Sequence, residues 1–343
     1  MRRTWTACLA GLLLAPPCAP ARSVAGVAAT AAATPPAVVE IVDHETVVVS
    51  GTLPGPGLWK VRKGGHTLYV LATLSPLPRR MEWQSAGVES VVARAGQVLL
   101  PPSFTLDADV GVLRGLSLLP SLLKARRNPG DRTLSQVLPP DLHARWAPLR
   151  QRYLGNDRGV EKWRPIFAAQ ELYEAAMRRT GLSLDGVVDK AVRRMARRHR
   201  VPMRAVDFRL EVAEPKAALA EFRATVLADS DCFERTLSRI EGDLEAMRRR
   251  ANAWAEGDIA TLRALPFESQ YSACVAAVTG SGLAQRLGAG DMRGRLEAMW
   301  IAAAEDALDA HATALAMLPL GLVLGEDGWL ARLEAKGYVV EPP

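Results

Sequence analysis

Few residues in this sequence combine a reactive type with a spacing that supports bond chemistry, and each also has a plainer structural reading. Ser75 stands where the run Thr67 to Thr73 gives way to Ser75-Pro76, and a strand exit of that kind is well placed to line a site. A serine nucleophile needs a base within hydrogen-bonding reach. His66 precedes Ser75 by nine positions; at the extended rise that is about 30 Å, and an odd separation turns the two side chains to opposite faces. His66 is therefore not that base. His44, His143, His199 and His311 are isolated in the sequence and read as surface or core residues. Glu326 and Asp327 form a carboxylate pair, but carboxylates that flank a reacting bond stand on separate elements. Turn and helix cap is their structural reading. No Gly-x-Gly-x-x-Gly, phosphate loop or His-Glu-x-x-His occurs, so neither a nucleotide cofactor nor that type of metal site is expected.

Arginine supplies the sharpest charge feature. Arg193, Arg194, Arg197, Arg198 and Arg200 cluster around His199, and Arg248-Arg249-Arg250 form a second group, in a chain of formal net charge +6. On a helix Arg193, Arg197 and Arg200 share one stripe beside Arg194 and Arg198, a face able to attract phosphates, anionic polysaccharide or acidic lipid headgroups. The structural alternative is a solvated helix face. No base-reading motif accompanies the cluster, and nucleic acid is not an expected partner.

Met1-Arg2-Arg3, the apolar run Trp5 to Ala15 and the triplet Ala19-Pro20-Ala21 read as a signal peptide over residues 1–21. The run is too short to span a bilayer. Arg2-Arg3 lacks a twin-arginine context, and Ala15-Pro16-Pro17-Cys18 is a poor lipoprotein box. The expectation is export to the periplasm or beyond, with no transmembrane segment in the mature chain. Residues 22–40, rich in Ala, Thr and Pro, read as a linker. Cys232 and Cys274 then remain, and an oxidising compartment makes a disulfide between them the default, two separate buried thiols being the alternative. Neither has a nearby histidine or a Cys-x-x-Cys pattern, so a catalytic thiol is not expected.

With 343 residues, 49% of them hydrophobic, the chain can bury the core of a single domain over residues 41–343. Thr46 to Ser50 is β-branched and reads as a first strand. Leu58 to Arg62 and Thr67 to Thr73 form a hairpin around Lys63-Gly64-Gly65. Val88, Val91, Val92 and Ala95 give helical spacing over Ala86 to Ala95, and Val98-Leu99-Leu100 reads as a buried parallel strand stopped by Pro101-Pro102. Strand, helix, strand makes a βαβ unit, so the fold class is α/β. Helical patterns over Glu161 to Arg179, from Ser183 onward, and from Pro215 toward Ala310 imply a large helical insertion over about 127–310, with one alternating strand at Val206 to Val212. At the end Asp327 caps a short helix carrying Trp329, Leu330 and Leu333, Gly337 ends it, and Tyr338-Val339-Val340 is the last strand.

Two stretches carry a family resemblance. GLWKVRKGGHTLYVLATLSPLP and GEDGWLARLEAKGYVV, the latter Gly325 to Val340, resemble the opening and closing motifs of the TraB/GumN family, closest to its GumN-like branch, with roughly residues 50–343 covered. In that family the first strand exit reads Gly-Thr-x-His, a later strand ends in Glu, and a second Gly-x-x-His precedes the GEDG turn. Those groups are the proposed metal-binding and catalytic constellation of members that resemble metal-dependent proteases. Laid on this sequence, the first motif becomes Ala72-Thr73-Leu74-Ser75, the glutamate falls at Pro101, and the second motif becomes Pro319-Leu320-Gly321-Leu322. The resemblance thus implies a degenerate member without catalytic residues, metal or cofactor. It also implies that the C-terminal unit lies beside the opening hairpin. The first functional reading is a non-catalytic binding or scaffold module of the cell envelope, its partner an envelope protein or an anionic glycan, since the namesake of the GumN-like branch is associated with exopolysaccharide gene clusters. It predicts an apolar, filled cleft at the strand exit. The alternative is a hydrolase or peptidase with a metal-independent or relocated site, which predicts a polar cleft near Thr73, Ser75 and Pro319 to Leu322 with a base from the helical insertion.

Overall fold

A computed structural model describes residues 55–108, 112–242, 244–265, 270–325 and 327–343. The expected signal peptide, linker and first strand, together with His44 and Glu326, lie outside them. The described chain opens on the expected hairpin, β1 (Leu58–Lys63) and β2 (His66–Thr73). Lys63 pairs with His66 across the turn, and Gly64 takes φ 57 there, a left-handed conformation that favours glycine. Burial alternates along β1 but is near-continuous from Val70 to Ala72 on β2, as a strand covered on both faces requires.

After β3 (Leu77–Pro78), α1 (Ala86–Arg94) buries Val88, Val91 and Val92 as their spacing predicts. The next strand, β4 (Val98–Asp107), corrects the expected stop at Pro101-Pro102. Between Leu99 and Pro102 it advances one residue more than its partner, a bulge that accommodates two prolines without ladder donors, and pairing then resumes. Helices α2 (Val112–Ala125), α3 (Leu134–Val137), α4 (Pro140–Tyr153) and α5 (Pro165–Arg179) follow. The α5 pattern read as starting at Glu161 begins instead at Pro165, whose fixed φ suits a first turn; Gly159–Lys162 form a 3-10 turn. Ser183 does not begin a helix either. It belongs to β5 (Leu182–Ser183), antiparallel to β3, and Gly186 in a left-handed conformation leads into α6 (Val187–His199).

From β6 (Met203–Glu211) the chain runs through α7 (Pro215–Ala224), α8 (Ser230–Gly242), α9 (Leu244–Glu256), α10 (Ile259–Ala264), α11 (Gln270–Thr279) and α12 (Gly282–Arg286) to the long α13 (Met292–Ala310). It closes with β7 (Thr313–Pro319), α14 (Leu320–Leu324), α15 (Trp329–Ala335) and β8 (Val339–Glu341). Gly328, not Asp327, occupies the N-cap position of α15, with no side-chain cap bond.

The main sheet has the order β6-β4-β7-β2-β1-β8. β6, β4, β7 and β2 run parallel, while β1 and β8 are antiparallel additions at the β2 side. The C-terminal strand therefore lies beside the opening hairpin, as expected. β2 and β4, however, are not neighbours: β7 lies between them. Within the expected helical insertion, α6 packs on α1, β6 enters the sheet where an alternating strand was expected, and α13 lies across β2, β4, β6 and β7. Two helical excursions flank a core pair, and α3, α4, α5, α8 and α9 enclose a second apolar cluster around Trp146, Leu172, Phe233 and Leu237.

Cys232 and Cys274 are joined, tying α8 to α11 across 42 positions. Replacing both by serine is expected to cost about 2–4 kcal/mol of stability, since the bridge restricts a loop of that length in the unfolded chain. Denaturant unfolding measures this, and an unchanged midpoint would contradict it.

Candidate functional site

The parallel half of the sheet brings the carboxyl ends of β2 and β7 side by side, with the opening residues of β4 next to β7, and the carboxyl edge is where open α/β sheets place their sites. Ala72 pairs with Leu318 and Thr73 with Pro319. Leu99 pairs with Ala316, so Pro101 stands two residues further along the same edge. Three places far apart in sequence, Ala72-Thr73, Pro101 and Pro319, thus converge, with Leu74-Ser75 and Leu320 to Leu322 immediately beyond.

What fills this edge is mostly hydrocarbon. Ala72, Leu74, Leu318 and Leu320 are buried, and Leu322 packs against the core. Trp254 of α9 closes it: the indole is buried, its Nε1–H donates to the Ala72 carbonyl at 2.7 Å, and its ring meets Trp83 edge-on at 5.5 Å between centroids. Ser75 is exposed, with no hydrogen-bond partner among the described residues. Among those residues no group of three or more His, Cys, Asp or Glu side chains is placed to hold a metal ion.

The described histidines stand elsewhere. His66 begins β2 at the opposite end, its Nδ1 against the Leu308 carbonyl. His311 precedes β7, and its ring abuts Gly96 so closely that no Cβ would fit there. His143 faces Glu161 at 3.7 Å, and His199 faces Glu89 at 3.2 Å.

The arginine cluster resolves into distinct environments on α6. Arg193 is held by Asp189 at 2.7 Å, and Arg198 by Glu89 of α1 at 2.7 Å. The His199 and Arg198 contacts hold the Glu89 carboxyl below the usual carboxylate range. Arg194, Arg197 and Arg200 are exposed and have no ion-pair partner among the described residues. The second group disperses: Arg250 is buried, Arg248 reaches Glu245 at 3.7 Å, and Arg249 is exposed.

Arg194 also lines two recesses. One, about 730 Å³, lies between α5, α6 and the β3–β5 ribbon; the other, about 350 Å³, lies between α6, α1 and Met81 to Trp83. Sequence reasoning missed both, because their walls come from segments about a hundred positions apart. The one available signal was the spacing of Lys190, Arg194 and Arg198, which places them along one side of α6.

Among known proteins, no curated protein and no solved structure matches this chain. The model of the TraB/PrgY/gumN family matches residues 57–342.

Proposed function

This chain belongs to the TraB/PrgY/gumN family, and from that membership we propose that it is a non-catalytic, exported member serving as a binding or scaffold module of the cell envelope. The observation that carries this reading is Trp254, seated over the strand exit with its N–H on the Ala72 carbonyl. A metal centre needs several lone-pair donors at about 2 Å. Alanine, leucine and proline side chains supply none, and serine supplies only a weak neutral one. Filling the place with apolar groups avoids burying unpaired polar atoms. Export is supported by the N-terminal sequence alone; among the described residues no helix is long and apolar enough to cross a membrane.

The partner we propose is an anionic glycan, met by the exposed arginines of α6, with an envelope protein as the other expectation. The hydrolase reading requires a base beside Ser75, and Ser75 has no such neighbour among its hydrogen-bond contacts in the described chain. Elemental analysis of the purified protein after incubation with manganese, cobalt and zinc tests the proposal. Well below one ion per chain and no peptidase activity is the expected outcome. One tightly held ion per chain overturns it and moves the hydrolase reading to first place.

A further inference from the structure

We infer that the two recesses joined at Arg194 form one binding track for a polyhydroxylated carboxylate, that is, for an acidic-sugar unit within a chain. The inference rests on the anionic-ligand reading above and names the ligand class and the place. Arg194 of α6 lines both recesses. The larger recess has a buried apolar floor of Met177 and Leu182. Four cations line it, Arg79, Arg178, Lys190 and Arg194, together with the carboxylates of Glu174 and Asp185. Arg178 lies 3.5 Å from Glu174, and Lys190 lies 3.5 Å from Asp185. Arg79 donates Nε to the Leu182 carbonyl at 3.3 Å and, like Arg194, has no carboxylate partner among the described residues.

That balance selects the ligand. Two uncompensated guanidinium groups suit one or two separated carboxylates, which arginine can grip in a bidentate fork. A densely charged polymer, such as a polyphosphate or polysulfate, would also meet Glu174 and Asp185, and like charges brought together weaken binding. The same two carboxylates, with the Gln170 and Ser183 side chains, are acceptors for hydroxyl donors. A ligand carrying many hydroxyls and few carboxylates satisfies both halves of the lining. The smaller recess adds Trp83, half-buried, whose indole offers an amphipathic face on which the apolar side of a sugar ring can rest.

Isothermal titration calorimetry of the full chain with a galacturonate hexamer, the matching neutral galactose oligomer and hexaglutamate tests this. The expected result is binding of the galacturonate hexamer and of neither control. Arg194→Gln should weaken it about 10-fold or more, as loss of hydrogen bonds to a charged group implies. Glu174→Gln should weaken it several-fold, whereas paired Arg197→Gln and Arg200→Gln substitutions, outside the lining of both recesses, should weaken it less than Arg194→Gln does. These side chains are at the surface, and unchanged thermal midpoints confirm that each variant folds. Full loss in the Arg197/Arg200 variant with none in Arg194→Gln overturns the track while the anionic-ligand reading stands. Equal affinity for hexaglutamate overturns the sugar assignment. No binding of either acidic probe by the unmodified chain overturns both the track and the reading beneath it.

Discussion

Trp254→Ala is expected to lower the stability of the protein by about 4–6 kcal/mol. Truncating a buried tryptophan costs about 3–5 kcal/mol through lost burial and the cavity left behind. Loss of the indole donor removes a bond to the Ala72 carbonyl, made at 2.7 Å in a buried setting, worth about 1 kcal/mol more. Trp83 also loses its edge-on partner, 5.5 Å away. Trp254→Phe retains most of the ring volume but no donor, so it should cost only about 1–3 kcal/mol, and the pair separates packing from hydrogen bonding. Chemical denaturation of the two variants measures both. The opened space would be lined by Ala72, Leu74 and their neighbours rather than by lone-pair donors, so the alanine variant should gain no metal. A loss below about 1 kcal/mol would mean that Trp254 covers the strand exit without holding it.

The residues at that exit were legible in the sequence, but the group covering them was not. Ala72 and Thr73 end the readable hairpin, Pro319 follows from the family resemblance, and their meeting follows from two strands running in register. Trp254 lies in an Ala- and Arg-rich helix whose sequence does not say which element it faces. The same distinction runs through the fold. The opening hairpin was readable because Lys63-Gly64-Gly65 encodes its own turn, and α1 because three valines encode its buried face. The alternation at β6 marks its place at the sheet edge. β7 was missed although Ala314 to Leu318 is a continuous apolar run ended by Pro319, the pattern of a strand covered on both faces. Its position between β2 and β4 depends on pairing across more than two hundred residues, which no local pattern records. Prolines misled at β4 because a bulge accommodates them when a neighbouring strand continues the ladder. Arginine spacing placed a basic face on α6, whereas the carboxylates that occupy Arg193 and Arg198 come in one case from α6 itself and in the other from α1.

A second large effect is expected at Arg164, outside any candidate site. Arg164 is 2% exposed, and its guanidinium donates to the carbonyls of Thr225 at 2.9 Å, Phe222 at 2.8 Å and Arg223 at 2.9 Å, at the C-terminal end of α7. Nε reaches the Arg127 carbonyl at 3.3 Å, and the group stacks on Phe222. A cation there meets the negative end of the helix dipole and adds donors to the carbonyls of its last turn. Nearby, Asp229 accepts from the Ile166 N–H at 3.0 Å in the first turn of α5, the complementary end of another helix. Burial pushes the Asp229 carboxyl up, the Ile166 bond and the attraction of Arg164 opposing it. Arg164→Met fills similar space but leaves carbonyls and a buried carboxylate uncompensated, so a loss of about 3–5 kcal/mol is expected near neutral pH. Because the folded pKa of Asp229 lies above its unfolded value, its contribution is fully favourable below about pH 3.9 and is lost as pH rises through the folded value. Removing Arg164 raises that folded value further. The deficit of the variant should therefore be smallest near pH 4 and grow toward pH 7, a trend read from urea midpoints across that range. Arg164→Met with Asp229→Asn should recover part of the loss at pH 7 and little at pH 4. A deficit constant with pH would show that the two buried charges are not coupled, and would leave the carbonyls of α7 as its whole cause.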